Sequence, residues 1–331
     1  MSVYEKPNSI NRLMLPESST RLPKRNVIKK DTFHYKWSRS HKPVLSVKPG
    51  DKVHFEVNEV SSWQVTKEST AQDLSSMDDT KLYPLSGPVY VDGAKPGDAL
   101  VVNVESVKPA DWGWTGIMPG LGLLEEFTKP DLFIWKLRAG AKYAQFAKGI
   151  KVPLNPFCGV YGVAPPENGY FDVLPPGKHG GNMDIRHLTA GSRVLIPVYN
   201  DGALFSICDV HAAQGDGEVC VTAIECPGDV TLSFDLVKGA NLRTPCYFSK
   251  PLFGGNSGHF ATTGIAPDLM SATKDAVRNM IARLEETKGL TREQAYMLCS
   301  VAAELRIHEV VDAPNWVVGL MLPRSIFGNS I

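Results

Sequence analysis

The sequence predicts a mainly β protein of the α+β class: a β-sandwich or barrel-like body built from repeated turn-and-strand units, followed by a C-terminal helical hairpin. Three observations carry that expectation. A Pro-Gly or Gly turn leading into a β-branched, alternating run recurs four times. Helical spacing of apolar residues begins only after Asp268. Finally, 29 Gly and 24 Pro in 331 residues favour many short strands joined by turns.

Taken in chain order, residues 1–30 mix Pro, Asn, Ser and charges and read as an extended N-terminal arm. Residues 31–265 read as the β-rich body. Its four repeated units start at Lys48-Pro49-Gly50-Asp51, Lys95-Pro96-Gly97-Asp98, Ala190-Gly191-Ser192 and Cys226-Pro227-Gly228-Asp229. They lead into strands at 52–57, 99–104, 193–198 and 230–234, at intervals too unequal for a solenoid. Four returns of one unit suggest two related β-layers. Residues 266–331 hold the hairpin and a final strand. Leu269, Ala272, Ala276, Met280 and Leu284 recur at helical spacing, and Gly289 reads as the C-cap. Thr291 and Gln294 form a capping box that opens a second helix with Ala295, Leu298, Ala302 and Leu305 on one face. A strand over 316–322 ends at Pro323.

Charge and cysteine usage narrow the partners. Lys plus Arg and Asp plus Glu are both 35, giving no net charge, which argues against nucleic acid and against a polybasic membrane anchor. There is no apolar run long enough to span a bilayer and no apolar stretch resembling a secretory signal. Six scattered cysteines without a Cys-x-x-Cys pair read as free, buried thiols, so the expected location is cytoplasmic.

The densest chemical stretch runs from Asp209 to Glu218. Asp209 and His211 are two apart, so on a strand they share a face. Gly215-Asp216-Gly217 reads as a tight turn into a next strand at 219–225, which brings Glu218 back beside them. Carboxylates with an imidazole are a common ligand set for Zn²⁺ or another divalent ion. Asp184, at the exit of the Gly-rich loop 175–187, is the best candidate for a further ligand. Lys178, His179 and Gln214 are candidates for holding the substrate or an oxyanion. Trp114, in the Trp112-Gly113-Trp114-Thr115 run, and Gln64 are candidates for the wall and a polar handle of a substrate pocket.

Several of these strings together resemble the acetamidase/formamidase family. They are Gly180-Gly181-Asn182-Met183-Asp184, the 209–218 stretch, residues 87–98, Trp112–Thr115 with Pro119-Gly120-Leu121-Gly122, and Gly159 through Pro165. The resemblance spans roughly Phe33 to Ile326, including Gly264 to Leu269, and the order of the motifs agrees throughout. Trp63, Cys158 and 313–316 depart from the pattern. The resemblance implies a β-rich fold with a C-terminal helical part, hydrolysis of a small amide such as formamide or acetamide (a γ-lactam in some members), a divalent metal and a homo-oligomer.

On this reading the reaction is metal-assisted hydrolysis, with Zn the expected ion. Asp184, Asp209 and His211 are the expected ligands and Glu218 the general acid/base, with ligand duty as its alternative. His179 and Gln214 assist, and Lys178, Gln64 and Trp114 contact substrate. A serine-loop amidase is disfavoured because Gly254-Gly255-Asn256-Ser257-Gly258 lacks a second serine. A cysteine nitrilase is disfavoured because Cys158 and Cys208 lack a Lys partner. A non-catalytic ligand-binding β-protein is the competing class, and the intact polar set speaks against it.

Overall fold

The computed structural model describes residues 26–250 and 258–327. Among these residues the fold is two nine-stranded sheets, a small two-stranded ribbon and C-terminal helices. The first sheet runs, in spatial order, Asn26–Ile28, Lys52–Val57, Gly228–Val237, Ala99–Pro109, Arg193–Pro197, Cys246–Phe248, His259–Ala266, Trp316–Pro323 and Glu304–Glu309. All four strands of the repeated units therefore lie side by side in this one sheet rather than divided between two layers.

The second sheet runs Gly180–Asn182, Phe157–Val163, Phe205–His211, Glu225–Cys226, Trp112–Ile117 and Asp131–Lys136. Leu85–Val91 joins it by pairing with Phe205–His211. The two sheets pack face to face. Phe205 of the second sheet sits edge-on to Phe55 and Phe234 of the first, with ring centroids 6.5 and 5.1 Å apart. Phe205, Ile207, Cys208 and Val210 are all buried in the hydrophobic core together with Cys158 and Val160. A positive φ of 66° at Asp209 interrupts the simple alternation of the strand, and Asp209 Oδ1 comes to lie 3.1 Å from His211 Nε2.

The helix Leu269–Lys288 buries Ala272, Ala276, Met280, Ile281 and Leu284 against Val318, Leu320 and Leu322 of the first sheet. Asp268 caps its start, accepting from the amides of Met270 and Ser271. Gly289 ends it with φ of 63°, the left-handed conformation that glycine adopts without a Cβ penalty. The second helix, Arg292–Ala302, opens on the Thr291/Gln294 capping box. It stops before Leu305, which lies exposed on the strand Glu304–Glu309 because the backbone turns extended at Ala303. Most of the expected arm lies outside the described residues, although Asn26–Ile28 pairs in parallel with Lys52–Val57. No described helix is long and apolar enough to cross a membrane.

One local expectation is corrected. The residues after Gly217 do not form a strand over 219–225. They continue as a loop and rejoin the sheet only at Glu225–Cys226. The reason is local: Gly217, Glu218 and Val221 all adopt positive φ within five residues, which interrupts the extended run before it can pair.

Candidate active site

The candidate site lies on the face of the second sheet turned away from the sandwich core. His211 ends the central strand of this region. Its cross-strand partners are Phe157 on one side and Glu225 on the other, and Glu225 in turn pairs with Trp114. Directly opposed residues in antiparallel strands project to the same face, so these four side chains form a row. The Phe157 ring stands edge-on to the imidazole at 5.1 Å.

Around His211 the fold gathers six buried carboxyl groups. His211 Nε2 lies 3.1 Å from Asp209 Oδ1 and 3.0 Å from Glu225 Oε2. Neither oxygen lies where the ring N–H would donate to it, and both lack any other hydrogen-bond partner. The atoms of Asp184, His211 and Glu218 also come within 4.8 Å of one another. Asp312 and Glu309 complete the group from residues 309–312. Asp312 Oδ2 accepts from Asn182 Nδ2 at 2.9 Å, and Glu309 Oε2 accepts from the amides of Val311 and Asp312, each at 3.0 Å.

A glycine makes room for this convergence. Gly159 stands opposite Asp209 in the strand register. A Cβ there would lie 2.3 Å from Asp184 Oδ1, 2.6 Å from Asp209 Oδ2 and 3.0 Å from His211 Cε1. Backbone strain concentrates here as well. Tyr83, Asp184, Asp209 and Glu218 are non-glycine residues with φ of 57°, 47°, 66° and 47°. Each such conformation costs on the order of 1–3 kcal/mol and persists only where surrounding contacts enforce it.

Electrostatics follow from burying so many acids together. Burial raises Asp184 to about 6, against the pull of His211 and with a further push from Asp209. Burial raises Glu225 and Glu309 to about 8 each. Glu218 and Asp312 are pushed well above the carboxylate range by burial and then by Asp184. For His211 burial opposes protonation, but Asp209 and Glu225 outweigh it and hold the imidazole well above its usual value. Tyr83 faces the same group: burial, then Asp312, Asp209, Asp184 and Glu218, keep its phenol protonated.

The sequence-derived candidates separate into two sets. Asp184, Asp209, His211 and Glu218 meet at the cluster. Gln214 is also there, but behind the imidazole: its Oε1 is 2.9 Å from His211 Nδ1 and its Nε2 donates to the Asp184 carbonyl at 2.9 Å. Trp114 is buried beside Glu225 in the sheet, and its Nε1 donates to Glu59 at 3.1 Å. The remaining three make contacts elsewhere. Gln64 clasps the Asp78 backbone through both its amide atoms, at 2.6 and 3.1 Å. Lys178 is exposed, and the His179 ring packs against Trp37 at 5.3 Å.

Reading the residues in order missed Glu225, Glu309, Asp312, Tyr83 and Gly159. A signal existed for the acids. Glu225 interrupts the apolar run Ala223-Ile224-Glu225-Cys226, and Glu309 and Asp312 flank Val310-Val311. Acids embedded in apolar runs are seldom buried without a partner or a function.

Comparison with known proteins bears on what such a site does. The acetamidase/formamidase family model matches residues 21–170 and 171–329. The chain is 28% identical to the formamidase of Methylophilus methylotrophus, with 89% of each chain covered. It is 26% identical to the acetamidase of Mycolicibacterium smegmatis, covering 80% of this chain and 84% of that one. It superposes on the crystal structure of an acetamidase from Bacillus halodurans with a TM-score of 0.83 and 31% identity, covering 91% of this chain and 98% of that one.

Proposed function

Because the chain belongs to the acetamidase/formamidase family, we propose that it is an amidohydrolase that cleaves a small linear amide, formamide or acetamide, to its carboxylate and ammonium at the cluster around His211. One observation carries the assignment: buried oxygens of Asp209 and Glu225 converge on Nε2 of one imidazole, Asp184 Oδ1 lies 3.6 Å from its Nδ1, and none of these oxygens has a hydrogen-bond partner of its own. Bare carboxylates at such separations repel, so the arrangement calls for protons or a cation between them.

The donor set fits a divalent cation, with zinc favoured by an imidazole beside carboxylates. Asp209, His211 and Glu225 would hold it, with Asp184 alongside. Such a cation polarises an amide carbonyl and lowers the pKa of water, which answers the resonance that makes amides unreactive. Gln214 fixes the ring by engaging His211 Nδ1, which leaves Nε2 directed at Asp209 and Glu225. Glu218, ionised once a bound cation offsets the neighbouring acids, takes the general acid/base role: it accepts a proton from the attacking water and passes it to the departing nitrogen, a poor leaving group unless protonated. The Tyr83 phenol, held neutral beside these acids, supplies a hydrogen-bond donor for the substrate oxygen. Trp114 closes the row as an apolar wall. A homo-oligomer in the cytoplasm belongs to the same reading, and light scattering of the purified chain tests its oligomeric part.

The deciding experiment is ammonium release from formamide and acetamide by protein stripped with a chelator and then reloaded with zinc. Activity that disappears on stripping and returns with zinc supports the reading. Full turnover by the stripped protein refutes the cation, and no release from any small amide refutes the substrate class.

A further inference from the structure

A second group of donors lies apart from the carboxylate cluster, on the other flank of the loop that carries Glu218. One atom each from His187, Asp216 and His308 lies within 4.8 Å of the other two. His187 Nε2, Asp216 Oδ1 and His308 Nδ1 are all buried atoms without a hydrogen-bond partner. His187 and His308 are almost fully buried, at 4% and 0% exposure.

Two of the residues are anchored through their other polar atom. His308 Nε2 is 3.0 Å from the Tyr247 hydroxyl, and Asp216 Oδ2 accepts from Arg306 at 2.9 Å. What remains is a carboxylate oxygen and two ring nitrogens facing a common centre. The separation of 3.9 Å between His187 Nε2 and Asp216 Oδ1 is too long for a hydrogen bond. It is a span that an ion held at about 2.0–2.2 Å from each atom can bridge.

We propose that His187, Asp216 and His308 form a second divalent-cation site, of the zinc class, which pins the loop bearing Glu218 to the strand Glu304–Glu309. The loop already touches that strand, since the Gly217 amide donates to the His308 carbonyl at 3.0 Å. The site stands apart from the proposed amidase chemistry and does not depend on it. Imidazole nitrogens with one carboxylate suit zinc, whereas magnesium and calcium prefer shells of oxygen. The charge of Arg306 is offset by Asp216 and by Glu304 at 2.6 Å. Asp216 also lines a groove of about 580 Å³ together with Arg306, Leu305, Ile307 and Val219. The tyrosine behind His308 has the orienting role that outer partners of metal-bound histidines usually have.

The test is a zinc titration of the full-length, chelator-stripped protein against a chromophoric chelator, with circular dichroism to confirm folding. The expected result is two equivalents per chain. His187→Ala and Asp216→Asn should each remove one equivalent, and His211→Ala the other. Asp216 has a partly exposed side chain and keeps its shape as Asn, so that variant covers the case in which His187→Ala fails to fold. A crystal of zinc-soaked protein should show anomalous density between the three side chains. If the wild type and Asp216→Asn bind the same amount of zinc, or the density holds only a water, the second site is wrong. Should His211→Ala remove nothing while Asp216→Asn removes one equivalent, the second site stands and the cation at the carboxylate cluster falls.

Discussion

His211 and Glu225 stand opposite each other on neighbouring antiparallel strands, and their Nε2 and Oε2 atoms are 3.0 Å apart without forming a hydrogen bond. Two polar atoms this close in the interior, neither satisfying the other, have the relation expected of donors that share a third atom. On the proposed reading Glu225 is a ligand, and Glu218, on the Asp184 side of the ring, is the proton carrier.

Those two roles separate under conservative substitution. Glu225→Gln should lower zinc affinity and activity together, because the amide cannot supply a second anionic oxygen. Glu218→Gln should keep the zinc and lower kcat by roughly 10²–10⁴-fold, the usual contribution of general acid–base help. Zinc titration beside steady-state kinetics checks both. Zinc loss in Glu218→Gln with retention in Glu225→Gln would reverse the assignment.

Gly159→Ala is the smallest change that should disable the site. The backbone of Gly159 does not occupy the left-handed region, so alanine is acceptable to the chain itself, but its methyl would overlap Asp184 and Asp209. A displacement near 1 Å can cost about 10²-fold in rate. The variant should stay folded by circular dichroism and lose at least that much activity. Wild-type kinetics would show that the three side chains do not act from their observed positions.

Gln214→Ala removes the hydrogen bond to His211 Nδ1 without touching Nε2. Loss of such an outer partner typically costs 10–100-fold in metal affinity or activity. Gln214→Glu, which keeps an acceptor for the ring, should recover part of the zinc affinity. If Gln214→Ala instead raises KM and leaves zinc affinity untouched, the side chain contacts substrate rather than positioning the imidazole.

Stripping the cation should change how stability depends on pH. Glu225 and Glu309 keep their protons up to about 8 in the folded chain, against an ordinary value of 4.5. The folded state then binds more protons between those limits, so stability falls as pH rises. Buried His34 and His179, lowered to about 4, act in the opposite sense but only below 6.5. The thermal midpoint of stripped protein should therefore drop between pH 6.5 and 8. Added zinc should flatten the drop, because a cation does there what the protons did. A midpoint that rises across that window without metal would contradict the buried cluster.

Cysteine chemistry should be dispensable. Burial pushes the Cys158 thiol up to about 12 and Cys208 well above its ordinary range, so neither supplies a thiolate at neutral pH. Cys158→Ala and Cys208→Ala should each retain activity within a few-fold, measured by ammonium release. A several-hundred-fold loss in a folded variant would bring back a cysteine nucleophile.

Periodicity and short-range chemistry were enough to read much of this protein from its residues. Asp268, Gly289 and the Thr291/Gln294 box marked the helix ends because capping is settled within four residues. Three Pro-Gly turns and one Gly turn marked four strands, and the two-residue spacing of Asp209 and His211 read as one face of a strand. Adjacency between distant segments was beyond that reading. The four marked strands became neighbours in one sheet, and Glu225 came opposite His211 because the loop after Gly217 took positive φ and delayed the return strand. Glu309 and Asp312, about a hundred residues further on, joined Asp184 only when the last strands completed the first sheet. Gly159 shows the difference most clearly. In the sequence it is one letter of a motif shared with the family, and only the register against Asp209 reveals that the space of its missing side chain is where Asp184, Asp209 and His211 meet.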